Sequence, residues 1–88
     1  MREPWRYILA RQATRDMRRL TPAVRQRIFD ALDRYVEDPT CGDVKRLRGT
    51  ADEWRLRVGD WRIRFVFHPR TRTVEVLRVL PRGRAYRD

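Results

Sequence analysis

From residue 53 to residue 65 the chain alternates apolar and charged side chains, EWRLRV then WRIRF, around a central Gly59-Asp60. Alternation with period two marks a half-buried β-strand. Gly-Asp between two such runs suits a two-residue hairpin turn. With Gly59-Asp60 as the loop, Val58 faces Trp61, Leu56 faces Ile63 and Trp54 faces Phe65. On the other face Arg57 meets Arg62 and Arg55 meets Arg64. Apolar cross-strand pairs stabilise a sheet and like charges opposite each other destabilise it. One face is therefore suited to a core, and the other to an anionic ligand.

Elsewhere the period changes. WRYIL (5–9) reads as a short first strand, and Ala10, Ala13, Met17 and Leu20 recur at helical spacing over roughly 10–20. Thr21-Pro22 then supplies an N-cap and a first helical residue. Val24, Ile28, Ala31/Leu32 and Tyr35 line the core side of a second helix. Arg25, Arg27, Asp30, Asp33 and Arg34 line its other side, with Asp30 and Arg34 spaced to pair. Asp38-Pro39 ends that helix, and residues 39–52, including KRLRG (45–49), read as a loop. After the hairpin, HPRTR (68–72) is a turn, VEVLRVL (74–80) a last strand closed by Pro81, and RGRAYRD a basic tail. The order β-α-α-β-β-β predicts an α+β fold, with two N-terminal helices packed on one face of a small, mainly antiparallel sheet. The arginine side of the hairpin is expected to stay open to solvent.

Composition narrows the class. Eighty-eight residues make one small domain, 1–88, and 41% hydrophobic content suffices for a core. The net charge of +10 implies an anionic partner. It is unevenly placed: residues 1–43 carry +2 and residues 44–88 carry +8. The lone Cys41 rules out an intramolecular disulfide and suits a reducing cytoplasm. No apolar run approaches the roughly 18 residues that span a bilayer. No metal-ligand spacing, Gly-rich phosphate loop or hydrolase triad is present.

The succession of a helical pair, KRLRG, WRLR, GDWRIRF and VEVLRVLPRGRAY resembles the RelE/ParE superfamily of bacterial type II toxin–antitoxin modules, and within it the RelE branch. That resemblance implies a RelE-like toxin that cleaves mRNA in the ribosomal A site and inhibits translation. It also implies partners: an acidic, RelB-like antitoxin, the ribosome and mRNA, with DNA contacted only through the antitoxin complex. Carried over by position, the catalytic set falls on Arg55, Arg57, Arg62, Arg82 and Tyr86, with no metal or cofactor. Lys45, Arg46, Arg48, Arg64 and Arg84 become candidates for RNA or ribosome binding. Two departures stand out. Some relatives have lysines where this chain has Arg55 and Arg57, and arginine stays protonated where lysine can act as a base. The chain also stops at Asp88, short of the C-terminal helix of several relatives.

The chemistry fits those residue types in part. Arginine forks grip phosphate oxygens, and fixed cations stabilise the charge that develops at phosphorus. The base that takes the 2′-hydroxyl proton is unassigned: Tyr86 is one candidate, and its ring suits stacking on a base equally well. Trp54, Trp61 and Phe65 read as core, Arg11, Arg15, Arg18 and Arg19 as the solvated face of the first helix, and His68 as a strand end. Two other functions remain open: a ParE-like gyrase inhibitor, and a catalytically decayed module that binds antitoxin or RNA.

Overall fold

The computed structural model describes residues 4–49 and 52–82. Its elements are β1 (Arg6–Leu9), α1 (Arg11–Arg18), α2 (Pro22–Glu37), β2 (Asp43–Arg46), β3 (Glu53–Val58), β4 (Trp61–His68) and β5 (Thr73–Pro81). The five strands form one sheet in the order β1-β5-β4-β3-β2, antiparallel except for the β1–β5 pair. The fold class is as the sequence pattern predicts, with one more strand. Residues 43–46, read as loop, pair with β3 as an edge strand.

The hairpin register is the predicted one, from Val58↔Trp61 out to Trp54↔Phe65, with Arg57↔Arg62 and Arg55↔Arg64 between. Gly59 takes φ +57° and Asp60 stays at negative φ, the combination a type II′ turn requires. The apolar side of the sheet meets the helices in one core, where Phe65, Ile28, Leu32, Leu56, Ile63, Val74 and Val76 are all but fully buried. Each such side chain contributes about 1.5–3 kcal/mol through burial. Phe65 stacks edge-on against Phe67 and tilted against Tyr35.

The two helices join through matched caps. The Thr21 hydroxyl accepts from the Val24 N–H, and Pro22 opens α2. From α2, the Arg25 guanidinium donates to the Met17 and Leu20 carbonyls, closing the end of α1. Asp30, expected to pair with Arg34, instead accepts a hydrogen bond from Gln26.

The far end of β5 sets up the site. Its pairing with β1 stops at Leu9↔Val76, and α1 takes over the exposed edge. A register shift opposite Arg64/Phe65 leaves Leu77 unpaired and sets Arg64 across from Arg78. Beyond it, the Val79 N–H donates to the Asp16 carboxylate. Pro81, two residues on, has no N–H to leave bare at that edge.

Candidate functional site

Register places the basic residues of the sheet in bands across its side away from the apolar core. Lys45, Arg55, Arg64 and Arg78 stand side by side on β2, β3, β4 and β5. The next band runs Asp43, Arg57, Arg62, Leu80. On the other flank of the cations lies a band of Glu53, Val66 and Glu75.

Those carboxylates change the meaning of the arginine face. Arg55 is only 9% exposed, not open to solvent as alternation suggested. Its Nη1 donates to both the carbonyl and the carboxylate of Asp43. Asp43 also lies 3.9 Å from Arg57. Arg64 is held by Glu53 through Nε at 3.0 Å and through Nη2. Arg62 is buried too, and its Nη1 donates to the carbonyls of Gly59 and Trp61. The cross-strand repulsion read from the sequence is thus offset inside the molecule, by two acids and a pair of carbonyls. The Nε of Arg55 is buried without a partner, which leaves one donor of this face unsatisfied.

The exposed cations of the set cluster at the hairpin turn. The Arg82 N–H donates to the Asp60 carbonyl at 2.7 Å, which fixes exposed Arg82 beside the β3–β4 loop and close to Arg62 in sequence register. Arg57 is exposed on the adjoining strand. Exposed Lys45 and Arg46 lie on β2, and Arg46 pairs with Asp52 at 3.4 Å. Arg48 is exposed in the loop that follows. Tyr86 and Arg84 lie outside the described residues. His68 pairs with Glu75 at 2.8 Å, away from the turn. Among the described residues no group of three or more His, Cys, Asp or Glu could hold a metal ion.

Asp16 is the functional-looking residue that sequence reasoning missed. It is 7% exposed, yet accepts from Arg78 Nε and Nη2, the Val79 N–H and the Gln12 amide. Burial pushes its carboxyl upward, but the hydrogen bonds from Arg78, Val79 and Gln12 outweigh that and hold it below the usual carboxylate range. Arg78 is raised in turn, chiefly by its hydrogen bond to Asp16. No local sequence signal links residues 62 apart, so only the fold could show this pair. The site as a whole can bind anions: it presents preorganised guanidinium groups around a turn and no metal-ligand set.

Comparison with known proteins bears on the family and the fold. The family model of the ParE toxin of the type II toxin–antitoxin system parDE matches residues 7–86. No curated protein sequence matches the chain. Among solved structures, a chain of the archaeal RelE–RelB complex from Pyrococcus horikoshii OT3 is similar at 27% identity and TM-score 0.77, covering 94% of this chain and 100% of that one. A chain of the toxin–antitoxin complex RelBE2 from Mycobacterium tuberculosis is similar at 26% identity and TM-score 0.79, over 91% and 93%. The isolated E. coli RelE toxin shares the fold at 20% identity and TM-score 0.73, over 91% and 86%.

Proposed function

This chain belongs to the ParE toxin family of type II toxin–antitoxin systems, within the RelE/ParE superfamily and beside RelE toxins in structure, and on that premise we propose that it is a ribosome-dependent mRNA endonuclease. The observation that carries the reading is the cation set around the β3–β4 turn, Arg57, Arg62 and Arg82, on the side of the sheet away from the apolar core. In this reading the 2′-hydroxyl of the message loses its proton and attacks the adjacent phosphorus. The bond to the 5′-oxygen breaks, leaving a 2′,3′-cyclic phosphate and a protonated 5′-hydroxyl. Arg57 and Arg82 grip the non-bridging oxygens, and Arg62, fixed by two carbonyls, adds field at the charge that develops. Arg55 orients through Asp43, and Tyr86 serves as base or stacking partner.

Lys45, Arg46, Arg48, Arg64 and Arg84 belong to the RNA and ribosome contact. The cognate partner is an acidic, RelB-like antitoxin that covers this face in the cytoplasm, and DNA contact belongs to that complex. Support comes from the basic band and from the RelE–RelB complexes among the structural relatives. No helix among the described residues is long and apolar enough to cross a membrane.

A second reading is favoured by the matched family model itself, that of ParE, and by the internal bonding of Arg55 and Arg62. In it the chain inhibits DNA gyrase without cutting RNA. Supercoiling of relaxed plasmid by gyrase, assayed beside protein synthesis in a reconstituted translation system, separates the two. Translation blocked with supercoiling intact fits the nuclease. Supercoiling blocked at stoichiometric toxin with translation intact overturns it.

A further inference from the structure

Between the end of α1 and the unpaired edge of β5 runs a groove of about 420 Å³, its walls including Arg19, Trp61, Leu80, Pro81 and the Asp16–Arg78 pair, in which the carboxylate is already held by the guanidinium. Two of these adjoin the candidate site along the chain: Trp61 precedes Arg62, and Pro81 precedes Arg82. Leu80, another wall residue, is paired with Arg62 across β4 and β5, so the groove borders the candidate site on one side and reaches α1 at Arg19 on the other. Arg19, just past the last residue of α1, is the wall residue that joins the groove to the helix.

From Arg19 a row of like charge climbs α1. Arg11, Arg15 and Arg19 are spaced four apart and share one side of the helix, with Arg18 alongside. All four are exposed. No ion pair among the described residues involves any of them. This is the reverse of the sheet face, where acids offset the arginines. Among the described residues nothing offsets the repulsion along α1: no carboxylate stands four residues from Arg11, Arg15 or Arg19, and Asp16, three residues before Arg19, is committed to Arg78.

We propose that the groove and the Arg15–Arg19 side of α1 form a second phosphate-binding track, which holds the single-stranded RNA leaving the Arg57/Arg82 site. The apolar wall of Trp61, Leu80 and Pro81 takes a nucleotide, and Arg19 and then Arg15 take the following phosphates. A solvated helix face would need only mixed charge. A row of unpaired guanidinium groups joined by the groove to an anion site fits a backbone that passes from one to the other. The track rests on the RNA reading of the site, and it extends the ligand beyond the scissile nucleotide.

The test uses full-length chain and fluorescein-labelled oligouridylates of 3 and 12 nucleotides, read by anisotropy across a salt series. The variants are the double substitution Arg15→Ala with Arg19→Ala, and Arg70→Ala as a charge control in the exposed turn at the opposite end of β5. Surface substitutions of this kind leave folding intact. The 3-mer is expected to bind wild type and double variant equally. The 12-mer is expected to bind the double variant severalfold more weakly, with a log–log salt slope shallower by about 1.4, two phosphates at about 0.7 each. Unchanged 12-mer affinity in the double variant, or an equal loss in Arg70→Ala, overturns the track alone. Wild type that binds neither oligomer also overturns the track, whereas the endonuclease reading stands or falls on ribosome-dependent cleavage of a message, and so the two failures are distinguishable.

Discussion

Replacing Asp16 by alanine should be among the most damaging single changes outside the apolar core. The carboxylate is nine-tenths buried and carries three partners, Arg78, the Val79 N–H and Gln12. Removing it strands the Val79 N–H, a buried backbone donor at the unpaired edge of β5, at roughly 1–3 kcal/mol. The Arg78 pair adds less than about 1 kcal/mol, because the Arg78 side chain is 38% exposed. The sum, about 1–4 kcal/mol, corresponds to a fall in Tm of roughly 5–30 °C in a domain of this size. Asp16→Asn keeps an oxygen for the Val79 N–H and loses the charge, so its cost should be about 1 kcal/mol.

The pH dependence gives the same residue a second signature. Its folded pKa lies below the unfolded value, so the stability it confers is complete above about pH 4 and is lost as pH falls through the lower folded value. The gap between wild type and Asp16→Asn should therefore hold from neutral pH down to about 4 and close below it. Thermal melts followed by circular dichroism from pH 2.5 to pH 7 measure both effects. A loss under about 0.5 kcal/mol in Asp16→Ala, or a gap that does not narrow in acid, would refute the assignment of Asp16 as the cap of β5.

Three further outcomes are expected. Gly59→Ala should cost about 1 kcal/mol in denaturant titration, because φ +57° disfavours a Cβ. The new methyl group would also meet Arg27 Nη2 at 2.6 Å, but that side chain can swing away, so adding Arg27→Ala should recover little of the loss. The Tyr7 hydroxyl, pushed up to about 12 by burial and then by Asp33, should be missing from the tyrosine absorbance change near pH 10, and its contribution to stability should fade between pH 10 and about 12. Asp43→Asn frees Arg55 and Arg57 from their carboxylate, so it should tighten RNA binding at low salt several-fold; an unchanged or weaker affinity would show that Asp43 does not compete with the ligand.

The parts of this molecule that were legible in sequence are those governed by local period. The β3–β4 register followed from alternation plus a two-residue loop, because in a two-stranded turn nothing else can set it. The Thr21-Pro22 helix start followed from its cap chemistry. β2 was hidden because DVKR offers one apolar residue, Val44, and an edge strand needs no more. The arginine face was misjudged for the same reason. The acid that quiets Arg55 and Arg57 sits on that unrecognised strand, and Glu53 reaches Arg64 diagonally across the hairpin. Asp16 could not be found at all, since its partners lie at the other end of the chain.

The central claim is that Arg57, Arg62 and Arg82 act on mRNA at the ribosome. Primer extension on a reporter message tests it most directly, in a reconstituted translation system with and without ribosomes, for wild type and Arg82→Ala. The account predicts discrete breaks inside A-site codons, present only with ribosomes and reduced about a hundredfold or more in the variant, the size expected for loss of one preorganised stabilising group. Intact message in the presence of folded toxin and translating ribosomes would contradict it.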